Sequence, residues 1–240
     1  MRETTSMKQA LIKEIDVEHE DERAAAPIVA LAQLAQKAAT VARRAIAASQ
    51  DARVIELCAA RPRVKIPRST DFVDIAGVYD IQLHAARIKP SRRTEVENLC
   101  DKMLEHEARY RALEARTGAP WSLLAIMHAR AGACDFGRGI KSGRPLSRGK
   151  WDDDAYAAIR IARFDKVLSW TTARQLYELE RMTGFAYRLN GLASPALWGG
   201  TTEYDQGIAI GAREIDYSGK SDEIGAAALM LSLVETRSRL

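Results

Sequence analysis

The spacing of apolar residues predicts that most of the chain is helical. Between Ala26 and Ala60, small and aliphatic residues return every three or four positions, which is typical of a long amphipathic helix. The apolar stripe of this helix consists of Ile28, Leu31, Leu34, Ala38, Val41, Ala45 and Ala48. Small side chains allow a close approach to another helix, and Pro62 ends the pattern. The helix either packs on the rest of the chain or forms a surface for self-association or particle assembly.

A change of pattern near residue 90 divides the chain into an N-terminal extension and a helical domain. From Val64 to Lys89, prolines and a short β-prone run predict a linker with little regular structure. From Pro90 to Leu240, helical spacing dominates and no alternating strand pattern of any length appears. We therefore predict an all-α fold, with an extension over residues 1–89 and a helical domain over residues 90–240.

Capping residues predict where the helices of this domain begin and end. Ser91 can cap a helix that runs to about Arg116 and ends at Gly118. The next helix begins at Pro120 and is apolar nearly all round, so we expect it at the centre of the core. Further helices are predicted at residues 152–166, 171–182 and 221–236.

Composition and charge argue against several classes of protein. The 240 residues are 47% hydrophobic, which is enough for a core that needs neither metals nor disulfides. Cys58, Cys100 and Cys134 are too widely spaced for a zinc site or a disulfide framework, so no metal or cofactor is expected. No apolar run is long enough to span a membrane and no signal peptide is evident, so we expect synthesis in the cytoplasm. A net charge of +4 with mixed signs does not favour nucleic acid as a partner.

Two long motifs in the helical domain resemble those of a known enzyme family. The segment "TGAPWSLLAIMHARAGACDF" is similar to the family pattern TGxPWxxIAxIHxRESSxxF. The segment "LYELERMTGFAYRLNGLASPALWGGTTEYDQG" is similar to LxxLExYNGxGYRxxGxxSPYLWSGxxxYxxG. Both patterns belong to a bacterial and phage lysozyme family related to goose-type lysozymes and lytic transglycosylases. The resemblance covers approximately Tyr110 to Leu233 and implies a lysozyme-like fold that acts on the glycan strands of peptidoglycan.

The resemblance places the catalytic general acid of the family at Ala131. His128 and Arg130 match the HxRES motif, but a methyl group stands where the family has glutamate and cannot donate a proton. Two further acidic or polar features are also missing. The family's NGDPL loop appears as "SGRPL", with Arg144 in place of the acid, and the YNG triplet is replaced by Met182–Gly184.

Two explanations of Ala131 remain open at this point. The glutamate was either replaced deliberately in an ordinary member of the family, or lost in a natural pseudoenzyme. A single replacement does not explain Thr183, Arg144 and the shortened loop, so natural degeneration is favoured. In either case we expect the chain to hydrolyse glycan poorly, because loss of a general acid typically costs about two to four orders of magnitude in rate.

Other carboxylates are candidates to replace the general acid that is missing at Ala131. Glu180 matches the LE of the second motif and is the best replacement acid, although a structural salt bridge with Arg130 or Arg188 would also explain it. Weaker candidate acids are Glu203, Glu223 and Asp135.

The expected substrate groove includes aromatic and polar side chains from both motifs. His128 either faces this groove or is a satisfied residue of the core. Trp198 with Tyr187 and Tyr204 either stacks on saccharide rings or forms a turn that is pinned into the core. The remaining groove candidates are Arg130, Asp135, Thr183 and Arg188.

The sequence therefore predicts a peptidoglycan-directed, lysozyme-like protein with impaired chemistry. The expected setting is a phage or prophage. There the protein would reach the cell wall after release, as an endolysin does, or as part of a phage particle. The alternative is a non-catalytic protein that uses the same fold to bind glycan or to assemble, with residues 26–60 as its docking element.

Overall fold

Helices supply nearly all the regular structure in the part of the chain that the structure describes. The structure is a computed structural model, and it describes residues 64–146, 151–211 and 214–238. The helices are α1 Phe72–Ala85, α2 Arg93–Glu105, α3 Glu107–Thr117, α4 Trp121–Gly132, α5 Trp151–Ala162, α6 Thr172–Thr183, α7 Ala186–Leu189, α8 Pro195–Trp198 and α9 Ala226–Arg237. The all-α prediction is confirmed. The predicted helix between Ala26 and Ala60 lies outside the described residues, as does Cys58.

Short elements complete the described structure. Single turns of 3₁₀-helix occur at Pro90–Arg92 and Phe164–Lys166. A small antiparallel sheet joins strand β1, Ile208–Ala209, to strand β2, Ile215–Asp216, with Ile208 opposite Asp216. No helix among the described residues is long and apolar enough to cross a membrane.

The predicted central helix is confirmed as α4. Its residues from Leu123 to Ala129 are all buried, because α2, α3 and α9 pack around it. Gly118 closes the preceding helix in the left-handed conformation, with φ of 74°, as the sequence predicts. At the other end, Ala133 and Cys134 also adopt positive φ and turn the chain out of the core.

The prediction of a linker with little regular structure between Val64 and Lys89 is wrong for residues 72–85, which form α1. Ile75, Tyr79 and Gln82 are buried at helical spacing, and the helix packs against α6. Pro67 and Pro90 lie outside the helix and so do not interrupt it. The β-branched residues of this segment suggested strand, but packing of the buried face overrides that local propensity.

Several helix boundaries also differ from the prediction. The helix expected over residues 152–166 ends at Ala162. The helix expected from Ser91 to Arg116 is divided at His106, whose ring packs edge-on against Phe136 with ring centres 4.8 Å apart. The last helix begins at Ala226 rather than at Ser221. The residues ahead of it instead form an extended segment, 221–225, which matters for the site described below.

We expect that Tyr79→Ala lowers the free energy of unfolding by about 3–5 kcal/mol, because it leaves a cavity under α1 and removes a buried hydrogen-bond donor. Urea unfolding measures this change. Val73→Ala on the same helix is the matched control, since Val73 is 90% exposed, and it should change stability by less than about 0.5 kcal/mol. Equal effects of the two substitutions would contradict the packing of α1 against α6.

Candidate functional site

Two cavities lie at the C-terminal end of the central helix α4, and together they are called the groove here. Their volumes are about 490 Å³ and 240 Å³. Arg130 and Ala131 line both of them. The last turn of α4 therefore lies at the point where the two halves of the groove meet.

Charged and apolar residues both line the larger cavity. It lies between the end of α4, helix α2 and segment 221–225. Its charged lining residues are Glu95, Arg130, Arg138, Asp222 and Glu223. Carboxylates and guanidinium groups thus face the same space, which suits a ligand with several hydrogen-bonding groups.

Arg130 connects segment 221–225, on one side of this cavity, to the end of α4. Its guanidinium pairs with the Glu223 carboxylate, and its Nε donates to the backbone oxygen of Ile224 at 3.3 Å. Only 12% of the Arg130 side chain is exposed. A second arginine, Arg92, pairs with Glu95 at 2.9 Å and also donates to the backbone of segment 221–225.

The smaller cavity is mostly apolar. Its lining side chains other than Arg130 and Ala131 are Met127, Ile140, Lys141, Leu179, Met182 and Thr183. The Thr183 hydroxyl donates to the backbone oxygen of Glu180 at 3.0 Å, so its position at the end of α6 is fixed. Most of the charged side chains of the groove therefore line the larger cavity, and the smaller cavity is lined mostly by apolar ones.

A tight loop after α4 forms part of the groove wall. Gly143 has φ of 63° and its backbone N–H donates to the Gly139 oxygen at 2.9 Å. A Cβ at Gly143 would lie 2.1 Å from the backbone oxygen of Ala131. The loop can therefore approach the end of α4 this closely only with glycine at this position.

Three of the predicted site residues come together in this groove: Arg130, Ala131 and Thr183 line it. Asp135 lies in the same loop, exposed and close to the end of α4. Its carboxylate accepts the Gly137 N–H at 2.8 Å and pairs with Arg138 at 3.3 Å, but Asp135 does not line either cavity.

Glu180 does not fit the role of replacement acid, because its carboxylate is buried away from the groove. It accepts from Arg188 Nε at 2.9 Å and Nη2 at 2.8 Å, and it also accepts from the Tyr79 hydroxyl. Burial, together with the Glu180 charge, raises the pKa of Tyr79, which therefore stays protonated as a donor. The structural salt bridge with Arg188 is thus the correct alternative, and Arg188 is likewise absent from the groove.

His128 is also a core residue rather than a groove residue. It is fully buried, and Nδ1 lies 2.8 Å from the Tyr110 hydroxyl. Nε2 lies 2.9 Å from the Asp135 backbone oxygen and 3.2 Å from Trp151 Nε1. Burial lowers the pKa of His128, so the ring is neutral, and each neutral tautomer satisfies two of these three contacts. The imidazole thereby ties the loop after α4 to the core.

The aromatic residues of the second motif do not form a stacking surface. Trp198 and Tyr204 are buried, and the Tyr204 hydroxyl donates to the Gly207 oxygen and accepts from the Ser221 N–H, both at 3.0 Å. Tyr187 is half-buried and its hydroxyl accepts the Ala209 N–H at 2.8 Å. The alternative of a turn pinned into the core is therefore the correct one.

Several groove residues were not predicted from the sequence. Glu95 and Asp222 lie far from Ala131 in the chain, whereas Arg138 and Lys141 lie in the loop that follows α4, and no motif in the sequence singled out any of the four. Glu223 was expected only as a weak candidate acid, yet it lies in the groove, where it is paired with Arg130. Within the described ranges, no group of three or more His, Cys, Asp or Glu side chains is arranged to hold a metal ion.

No protein-family model, curated protein or solved structure matches this chain. The resemblance of the two motifs to the lysozyme family therefore stays a prediction.

The stability of the protein should fall as the pH drops below about 6.5, and His128 should carry much of that loss. Because burial lowers the pKa of His128 in the folded protein, the unfolded chain binds the proton first, and proton uptake favours unfolding. Urea unfolding from about pH 7.5 to 5.5 measures the effect. His128→Gln should flatten this dependence, whereas His84→Gln, at an exposed histidine, should leave it intact. The same slope in both variants would contradict the assignment.

Gly143→Ala should destabilise the protein by about 1–3 kcal/mol more than Gly118→Ala. Both glycines have positive φ, so both substitutions share the backbone strain of about 1–2 kcal/mol. Only at Gly143 would the new methyl group collide with the Ala131 carbonyl, whereas nothing lies within 4 Å at Gly118. Thermal or urea unfolding of the two variants gives the difference, and equal losses would mean that the loop does not lie against α4.

Proposed function

We propose that this chain is a peptidoglycan-directed, lysozyme-like protein that holds a glycan strand across the end of α4 and lacks the proton donor at Ala131. The observation that carries this proposal is that Ala131, the position of the family's acid in the motif, is one of two residues common to both cavities. A strand that occupies the groove must pass over it. The proposal thus joins the motif resemblance to the groove described above.

Partial burial and access to the groove make position 131 suitable for a general acid. Glycoside hydrolysis needs a carboxylic acid beside the glycosidic oxygen, and partial burial keeps such an acid protonated near neutral pH. Ala131 is half-buried at the end of a helix whose preceding turns lie in the core. A glutamate here would be partly desolvated and would face the groove from its floor.

No other carboxylate of the described groove replaces it. Glu95, Asp222 and Glu223 all line the larger cavity. The Glu95 carboxylate is engaged in an ion pair with Arg92, and the Glu223 carboxylate is engaged in one with Arg130. The Asp222 side chain is fully exposed to solvent. The groove therefore supports binding better than it supports bond cleavage.

We expect that the unchanged protein binds purified peptidoglycan sacculi but releases no soluble muropeptides, whereas Ala131→Glu releases them. Restoring the acid should raise the rate by about two to four orders of magnitude. Co-sedimentation with sacculi measures binding, and mass spectrometry of the supernatant measures release.

Ala112→Glu is the matched control, because Ala112 is an exposed helical alanine on α3 that lines neither cavity. It should bind sacculi and release nothing. Release by the unchanged protein would show that another carboxylate acts as the acid. Failure of the unchanged protein to bind sacculi would overturn the proposed function itself.

A further inference from the structure

We propose that residues 160–170, "RIARFDKVLSW", dock the protein onto an anionic lipid surface. This stretch, the α5–α6 segment, carries two of the most exposed large apolar side chains in the described structure. Leu168 is fully exposed and Ile161 is 74% exposed. The proposal does not depend on the function proposed for the groove.

The backbone of the α5–α6 segment is held in a compact set of turns. The N–H of Arg163 donates to the Arg160 oxygen at 3.0 Å, and the N–H of Lys166 donates to the Arg163 oxygen at 3.1 Å. Phe164 is buried and packs edge-on against Trp170, with ring centres 5.5 Å apart. Phe164 and Trp170 therefore anchor the segment. Ile161 and Leu168 cannot turn into the core without breaking these contacts.

Cations alternate with the exposed apolar side chains along the segment. Arg160, Arg163 and Lys166 are all exposed. The one acid of the segment, Asp165, pairs with Lys166 at 3.4 Å. The α5–α6 segment thus combines an excess of positive charge with two exposed aliphatic side chains.

An anionic lipid surface is the partner that satisfies both features. Aliphatic side chains gain free energy by entering the interface between headgroups and acyl chains, and cations beside them are attracted to anionic headgroups. A nucleic acid or another soluble polyanion would attract the cations but would leave Leu168 and Ile161 without a favourable environment. Val73 shows the contrast, because it is also exposed but is followed by Asp74 rather than by cations.

The test is co-sedimentation of the full chain with vesicles. Vesicles of equal parts phosphatidylcholine and phosphatidylglycerol should bind the protein, and vesicles of phosphatidylcholine alone should bind it far more weakly. The double variant Ile161→Ser, Leu168→Ser should weaken binding to the anionic vesicles by about tenfold or more. Arg160→Gln with Arg163→Gln should weaken it by about fivefold per cation removed, and added salt should weaken it further.

Val73→Ser is the matched control, because it removes an equally exposed apolar side chain from α1. It should leave vesicle binding unchanged. The substituted residues are all exposed, so the variants should keep the unfolding transition of the unchanged protein. Absence of binding to anionic vesicles would overturn the proposal. So would binding that the serine pair leaves intact, or competition by soluble polyphosphate that abolishes binding of the unchanged protein and the serine pair alike.

Discussion

Burial of α4 from Leu123 to Ala129 is the constraint on which the rest of the described structure depends. A helix that is apolar on all faces must be covered on all faces, and α2, α3 and α9 supply that cover. Such a helix has to end where its cover ends. Its last turn therefore comes to the surface at Arg130 and Ala131, and the groove exists because the surrounding elements separate at that point.

Two polar arrangements hold the chain around this helix. With its proton on Nε2, His128 donates to the Asp135 backbone oxygen and so connects the loop after α4 to the buried helix. Glu180 and Arg188 form a buried ion pair, and the Tyr79 hydroxyl donates a hydrogen bond to the Glu180 carboxylate. The Arg188 guanidinium lies 4.7 Å from the centre of the Tyr79 ring. Removing one partner of a buried pair typically costs about 3–5 kcal/mol, because the other charge is left uncompensated. The motif residues that were candidates for a role in catalysis, His128, Glu180 and Arg188, therefore stabilise the fold instead.

The sequence predicted the helical fold well where a local pattern carries the information. The all-round apolar character of α4 and the glycine at 118 are properties of adjacent residues, and both led to correct expectations. Tyr79 and Glu180 are 101 positions apart, and nothing in either segment shows that α1 covers α6. The motif alone, with no knowledge of α1, therefore predicts that Glu180 and Arg188 face the groove. In the structure both are buried. The acids that line the groove come instead from α2 and segment 221–225.

The central claim is that a glycan strand occupies the groove across Ala131. The most direct measurement is a titration of the isotopically labelled protein with a soluble glycan tetrasaccharide of the peptidoglycan repeat, followed through backbone amide chemical shifts. The account predicts the largest changes at Arg130, Ala131, Ile140 and Thr183, which line the two cavities. Changes confined to a surface away from this groove, or no changes at saturating glycan, would contradict it.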